Sequence, residues 1–147
     1  MGRSLMFLDA SAIIAIISEE ADAHRLLKRV DAAEALYFSP SSAFEAIVGI
    51  ARRKSIAKRG DQVPTPPALI EQCQTIVLGF LAELKAVEIP MDTKVRELAI
   101  KAAHDYGRYV GHPAKLNFGD CFSYACAKAY RVPLLYKGDD FSQTDLA

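Results

Sequence analysis

Four short apolar runs divide the sequence, and the stretches between them have the spacing of amphipathic helices. The runs are Leu5–Leu8, Leu36–Phe38, Val87–Ile89 and Pro133–Tyr136. Short runs with little polar alternation are typical of strands that are buried on both faces of a parallel sheet. Strands that alternate with helices form βαβ units, whose helices cover both faces of the sheet. The sequence therefore predicts an α/β fold, a central parallel sheet of short strands with helices on both faces.

The stretches between the runs predict six helices. We place them at about Ser11–Ser18, from Glu19 to Val30, Ala43–Lys54, Ala68–Leu84, Thr93–Tyr106 and from Asp120 to about Ala129. In the third helix, Phe44, Ile47, Val48 and Ala51 have the spacing of a core-facing stripe. The fourth helix has a wide apolar face, so part of it is expected to pack on a second protein chain.

Size and composition favour a single domain over residues 1–147, because 147 residues with 51% hydrophobic content can form one core. The 18 basic and 18 acidic residues balance, which argues against non-specific coating of nucleic acid. The start, Met1–Arg3, lacks the basic region of a signal peptide, and no run approaches the ~20 apolar residues of a membrane span. We expect a cytoplasmic protein without membrane contact. Its three cysteines lack metal-binding spacing and are expected to be buried.

Acidic residues follow the first and fourth runs. Asp9 ends the first, and Asp139 and Asp140 follow the fourth. Because parallel strands end at the same edge of a sheet, topology gathers these carboxylates at one edge. Asp120 opens the last helix, and Glu45 lies beside the apolar stripe of the third, but topology alone does not place either of them. The alternatives are that Asp9 only caps the following helix and that Glu45 is merely solvated.

Several carboxylates in one pocket repel one another and require a compensating cation. An all-oxygen site without histidine or cysteine favours Mg²⁺, with Mn²⁺ as a substitute. Such a metal keeps several waters and meets substrate phosphate directly. The chemistry that follows is metal-assisted hydrolysis of a phosphodiester.

Four segments together resemble the PIN-domain ribonucleases, and more closely the VapC toxins of bacterial type II toxin–antitoxin modules. The segments are Phe7–Ala12, Ser42–Glu45, Asn117–Ala125 and Leu134–Phe141. The resemblance implies a PIN-like α/β/α sandwich, Mg²⁺- or Mn²⁺-dependent cleavage of RNA, a homodimer, and inhibition by a VapB-like antitoxin that covers the active-site groove.

The resemblance also implies roles for individual residues. The catalytic acids would be Asp9, Glu45, Asp120 and Asp140. Asp9, Asp120 and Asp140 would hold the metal, with Asp139 as the alternative fourth acid, and Ser11 would support Asp9 by hydrogen bonding. From charge alone, six basic residues are candidates for contacts with RNA phosphates: Arg52, Arg53, Lys54, Arg108, Lys115 and Lys137. The basic stretch from Arg52 onward is equally consistent with a solvated helix end.

Two other classes of protein remain open from the residues: phosphoaspartyl proteins, which include phosphatases and response-regulator receivers, and non-catalytic modules. An Asp after the first strand also fits a phosphoaspartyl phosphatase, although a second Asp two positions on is replaced here by Ser11. A response-regulator receiver would need an acidic pair nearer the first strand than Glu19 and Glu20. A non-catalytic binding or assembly module would use its acids only as helix caps.

Overall fold

The computed structural model describes residues 4–146. Met1–Arg3, where we expect no signal peptide, lies outside the described residues, as do the two ends of the expected domain. Within that range the chain forms four strands, six α-helices and one 3₁₀ turn. The bounds are β1 Leu5–Leu8, α1 Ala10–Ile17, α2 Ala23–Ala32, β2 Ala35–Phe38, α3 Pro40–Arg59, α4 Pro67–Glu83, β3 Val87–Glu88, α5 Thr93–Tyr106, a 3₁₀ turn Arg108–Val110, α6 Phe118–Tyr130 and β4 Leu134–Leu135.

All the strand pairings are parallel, and the order across the sheet is β3-β2-β1-β4. Leu5 pairs with Ala35 of β2, and Phe7 pairs with Leu134 of β4. The chain therefore moves outward from β1 to β3 and then returns to the other side of β1. Ligands in open parallel sheets bind beyond the carboxyl ends of the strands at such a reversal of order. Here the reversal lies between β1 and β4.

Helices cover both faces of the sheet, as the sequence predicts. Met6 and Leu8 face a core formed with α1 to α4, whereas Phe7 faces a core formed with α5 and α6. This alternation follows from the two-residue period of a strand. Cys73, Cys121 and Cys126 are free and buried, which confirms the expectation for the cysteines. No helix of the described chain is long and apolar enough to cross a membrane.

Helix α3 differs from the sequence prediction in length and in orientation. It begins at Pro40, three residues early, because Ser39 and Ser42 form a reciprocal capping box. The predicted core residue Phe44 is 66% exposed, whereas Ala43, Ala46 and Ile50 are buried. Small residues let α3 approach α1 and α4 closely, so the bulky aromatic ring points to the opposite side of the helix, toward the carboxyl edge of the sheet.

Candidate active site

Asp9 is held at the carboxyl end of β1 by the residues that follow it. It is the N-cap of α1, and its Oδ2 accepts hydrogen bonds from the Ser11 backbone N–H at 3.0 Å and the Ser11 hydroxyl at 2.6 Å. The same hydroxyl accepts the Lys137 N–H at 2.9 Å, across 126 residues of chain. Ser11 therefore connects Asp9 to the turn after β4. Asp9 does cap a helix, but within residues 4–146 no hydrogen bond uses its Oδ1.

Asp120 is fixed by the start of α6. Asn117 is the N-cap of that helix, and its side chain accepts the Asp120 N–H at 2.9 Å, while Asp120 Oδ2 accepts the Asn117 N–H at 3.0 Å. This capping box places a carboxylate that is only 9% exposed in the first helical turn. Its Oδ1 is left for another partner.

Glu45 lies on α3 and reaches the start of α6 through a gap that a glycine provides. A Cβ built on Gly119 would lie 1.9 Å from Glu45 Oε1 and 2.2 Å from Oε2. The Glu45 carboxylate therefore packs directly on the backbone of the residue before Asp120. A side chain at position 119 would displace it.

Asp140 and Asp139, the two candidates for the fourth acid, have different surroundings in the structure. Asp140 lines a hollow together with Asp120, Asn117 and Arg108. The charge of Asp9 contributes to the raised pKa of Asp140, after the larger effect of burial. Asp139, in contrast, does not line that hollow, and its carbonyl oxygen accepts hydrogen bonds from Ser142 that close the turn.

The acids influence one another electrostatically. Burial raises the pKa of Glu45 to about 7, and the charge of Asp9 adds to the effect. Burial likewise raises the pKa of Asp120 to about 7; the Asn117 hydrogen bond opposes this, and the charges of Asp9, Asp140 and Glu45 reinforce it. No basic side chain is among the causes that shift either pKa. The structure thus brings Glu45, Asp120 and Asp140 close enough to Asp9 for its charge to act on all three.

The donor set suits a hard divalent cation, although it is not a closed cage. Among residues 4–146, no three side chains of Asp, Glu, His or Cys converge closely enough to form a ready-made ligand group. Mg²⁺ needs only one or two direct carboxylates and retains water in its other positions. Carboxylates that lie within reach of the charge of Asp9 fit such a partly hydrated ion, because its charge would offset their repulsion.

The structure separates the six basic candidates into two groups. Arg108 and Lys115 line the same hollow as Asp120 and Asp140. Arg53 and Lys137 instead form ion pairs with Glu20, which is the Lys137 partner at 2.6 Å.

The two remaining candidates, Arg52 and Lys54, are exposed on the second half of α3. Arg52 follows Glu45 by two helical turns, roughly 10 Å along the axis. Of the six candidates, Arg108 and Lys115 are therefore the ones that line the hollow beside Asp120 and Asp140.

Three features of the site are absent from the functional predictions made on the sequence. They are the space that Gly119 leaves for the Glu45 carboxylate, the N-cap that Asn117 forms for α6, and the ion pairs of Glu20 with Arg53 and Lys137. The run Asn117–Asp120 has the N-cap and acid spacing of a capping box, so the local sequence does contain a signal for the Asn117 cap. Glu20 pairs with residues 33 and 117 positions away, and nothing local in the sequence indicates those pairs.

The fold and the acidic edge define a PIN-like α/β/α protein, and comparison with known proteins agrees. The family model described as the PIN domain matches residues 6–146. A VapC ribonuclease of Rhizobium meliloti (strain 1021) is 42% identical over 143 residues, which cover 97% of this chain and 99% of that relative. Ribonuclease VapC42 of Mycobacterium tuberculosis is 38% identical over 141 residues, which cover 96% of each chain. The chain belongs to the PIN-domain family and, within it, to the VapC ribonucleases.

Two solved structures share the fold. One is VapC20 of Mycobacterium tuberculosis, described as a sarcin-ricin loop cleaving toxin, with a TM-score of 0.60, 16% identity and coverage of 93% of this chain and 92% of that one. The other is a toxin–antitoxin complex from Klebsiella pneumoniae, with a TM-score of 0.61, 16% identity and coverage of 96% and 93%. The resemblance to VapC ribonucleases and the predicted fold class are both confirmed. Family membership favours the nuclease interpretation over the phosphoaspartyl and non-catalytic alternatives.

Proposed function

We propose that this protein is an endoribonuclease that requires Mg²⁺, or Mn²⁺ in its place, and acts as the toxin of a VapBC-type module. The observation that carries the proposal is the group Asp9, Glu45, Asp120 and Asp140 at the carboxyl edge of the sheet, in which burial and the nearby charge of Asp9 raise the pKa values of the other three carboxyls. A hard cation would stabilise such a group of carboxylates. At the open edge of the sheet, that cation could also bind a phosphate of RNA. Because cellular RNA is the substrate, the proposed site of action is the cytoplasm.

The four acids have different proposed roles. Asp9 and Asp120 would hold the metal, and Asp140 would join them directly or through a water. When bound, the metal would lower the pKa of the attacking water and stabilise negative charge on the scissile phosphate. Glu45 orients that water and accepts its proton, a role that suits a carboxyl with a pKa of about 7. Ser11 positions Asp9, and Arg108 and Lys115 contact the RNA backbone.

RNA degradation by the purified protein tests the proposal. Wild type is compared with Asp9→Asn, with Mg²⁺, with Mn²⁺ and with EDTA. Asn is as good an N-cap as Asp, so this variant keeps the start of α1 while it loses the charge that binds metal. We expect EDTA to abolish cleavage and Asp9→Asn to lower it by about 100-fold or more.

A matched control is Asp31→Asn, which removes an exposed carboxylate from α2. It should leave cleavage unchanged. Cleavage that persists in EDTA, or an Asp9→Asn variant as active as the Asp31→Asn control, would contradict the proposal.

We propose a VapB-like antitoxin and a second copy of the chain as protein partners. Ile70, Ile76 and Leu78 on α4 are between 36% and 41% exposed and flank its buried stripe on different sides, so α4 keeps apolar side chains that a second copy of the chain would cover in a homodimer. Expression without the antitoxin should arrest growth, and co-expression should relieve the arrest. Sedimentation should give twice the chain mass, and Ile76→Glu should shift it toward a monomer. An unchanged growth curve contradicts the toxin assignment, and a monomeric wild type contradicts the homodimer.

A further inference from the structure

One cluster of ion pairs joins the end of α1, the middle of α3 and the turn after β4. Glu20, which follows α1, pairs with Lys137 Nζ at 2.6 Å and with Arg53 Nη1. Lys137 follows β4, and Arg53 lies on α3. The side chain of Glu20 is only 18% exposed, whereas that of Lys137 is 37% and that of Arg53 58% exposed. Glu20 therefore lies at the centre of the cluster, with the two cations around it.

The end of α1 puts an acid at a position that commonly holds an apolar residue. Glu19 has a left-handed backbone, with φ 53°, and its N–H donates to the Ile16 carbonyl at 3.2 Å. The Glu20 N–H donates to the Ala15 carbonyl at 2.9 Å. These two bonds form a Schellman motif, in which the residue after the left-handed one frequently makes a hydrophobic contact with the helix. Packing on α1 does not account for an acid at this position, whereas an ion pair with Lys137 does.

The backbone of Lys137 lies beside the acids of the site. Its N–H donates to the Ser11 hydroxyl at 2.9 Å, and that hydroxyl donates to Asp9 Oδ2 at 2.6 Å. Asp140 follows Lys137 by three residues in the same turn. A lysine ammonium on its flexible four-carbon stem can reach carboxylates that adjoin its own backbone. Without Glu20, the attraction between opposite charges would draw the ammonium to these acids.

The positive charge of Lys137 acts on Glu20 and not on the acids of the site. The hydrogen bond from Lys137 is the largest cause of the lowered pKa of Glu20, and burial opposes it. No basic side chain is among the causes that shift the pKa values of Glu45, Asp120 and Asp140. Across residues 4–146, the ion pair of Lys137 is the one with Glu20. The acids thus keep their negative charge available for another cation.

Resting on the proposed function, we propose that Glu20 is a positioning residue that holds the Lys137 ammonium away from the acids and so keeps their metal site open. An ammonium paired with Asp9 or Asp140 would occupy oxygen atoms that a hard cation needs as ligands, and the cation would have to displace it. Ion pairs as exposed as these add little to stability. The main consequence of the pair is therefore the place at which it keeps the ammonium.

A set of variants separates this role from a merely structural one. Glu20→Ala releases the ammonium, and Lys137→Met keeps most of the stem but removes the charge. Glu20→Ala/Lys137→Met combines the two changes, and Glu20→Ala/Arg53→Met removes the other cation instead. Asp22→Asn is the matched control, because it breaks an exposed ion pair of the same connection, with Arg25 of α2 at 3.2 Å, and keeps a good N-cap.

Binding of Mn²⁺ is measured by electron paramagnetic resonance, which detects the ion without RNA and without cleavage. Glu20→Ala should weaken Mn²⁺ binding by about 10-fold or more, the factor that a hydrogen bond to a charged group is worth. Glu20→Ala/Lys137→Met should restore the affinity of wild type, whereas Glu20→Ala/Arg53→Met should bind as weakly as Glu20→Ala. Lys137→Met alone and Asp22→Asn should bind Mn²⁺ as wild type does.

Two further measurements check the same step. Glu20→Gln should weaken Mn²⁺ binding less than Glu20→Ala, because its amide oxygen still accepts a hydrogen bond from the ammonium. This variant also preserves the size of the side chain, should the alanine variant fail to fold. A crystal structure of metal-free Glu20→Ala should place Lys137 Nζ within about 4 Å of a carboxylate oxygen of Asp9 or Asp140, the distance of an ion pair.

A structural role for the cluster predicts a different order of affinities. Lys137→Met would then bind Mn²⁺ as weakly as Glu20→Ala, and the combined variant would not recover. Either result overturns the proposal, as does a crystal structure of Glu20→Ala in which the ammonium points into solvent.

The results also separate this proposal from the proposed function. Wild-type affinity for Mn²⁺ in Glu20→Ala overturns the role of Glu20 even if Mg²⁺-dependent cleavage of RNA is confirmed. If the variants follow the expected order but RNA is not cleaved, the role of Glu20 stands and the nuclease assignment fails. Wild type that binds no Mn²⁺ overturns both.

Discussion

Adding one methyl group at Gly119 should disable the site without unfolding the protein. The Cβ of Gly119→Ala would lie 1.9 Å from Glu45 Oε1, whereas ordinary van der Waals contact begins at 3.4 Å. The difference of 1.5 Å is the distance by which the carboxylate must withdraw. A displacement of about 1 Å in a reacting group can cost about 100-fold in rate. We therefore expect kcat/KM for RNA cleavage to fall by roughly that factor.

The fold should tolerate the same substitution. The clashing atoms belong to the end of a flexible side chain, so Glu45 can rotate away while α3 and α6 stay in place. Alanine also favours a helix over glycine by about 0.5–1 kcal/mol. The Tm of Gly119→Ala should therefore equal or slightly exceed that of wild type, as measured by circular dichroism.

A matched control lies within α4. A Cβ on Gly79 would meet no atom within 4 Å, so Gly79→Ala should preserve both activity and Tm. Full activity in Gly119→Ala would show that the position of Glu45 is unimportant and would refute the reasoning. A large fall in Tm would show that the methyl group disturbs the backbone instead.

Two further predictions concern Asp9 and the acids around it. Ser11→Ala leaves the Lys137 N–H without its acceptor and removes one of the two donors to Asp9 Oδ2, while the backbone N–H at position 11 remains. Unfolding in urea should show a loss of about 1–3 kcal/mol, together with lower activity; an unchanged midpoint would contradict the role of this hydroxyl. The raised pKa values of Glu45 and Asp120 mean that the metal-free folded state holds protons that the unfolded state releases, so stability should fall as pH rises from about 4 to 7. For Glu45, a rise of the pKa from 4.5 to about 7 corresponds to at most about 3 kcal/mol of stability, which solvent screening reduces to about 1–2 kcal/mol. Mn²⁺ should therefore raise Tm more at neutral than at acidic pH, and an equal rise at both would contradict the assignment.

The sequence is sufficient for the strands and for the edge at which they end. The uninterrupted run Leu5–Leu8 identifies β1, and parallel topology then places Asp9 and Asp140 together. Asp120 cannot be placed from topology, because the start of a helix is not tied to either edge of a sheet. The capping box that Asn117 forms with Asp120 belongs to the local sequence, but its orientation depends on how α6 packs.

One wrong prediction and one set of ion pairs that the sequence does not indicate have physical causes that a sequence pattern does not contain. The size and spacing of Phe44 predict a core position, yet α3 packs through small residues such as Ala46 and leaves the ring exposed. Charge alone groups Arg53 and Lys137 with the RNA contacts, yet both pair with Glu20. Helical periodicity predicts which residues share a face of a helix, but not how deeply each of them is buried. The charge of a side chain does not predict which residue it will pair with.

A crystal soaked in Mn²⁺ tests the central claim most directly, because anomalous scattering locates the ion independently of activity. The account predicts an ion at about 2.0–2.2 Å from carboxylate oxygens of Asp9 and Asp120, with water in its remaining positions. Data from Asp9→Asn crystals should lack that peak. Anomalous density elsewhere, or none beside these two acids at saturating Mn²⁺, would contradict the claim that folding gathers the acids into a metal site.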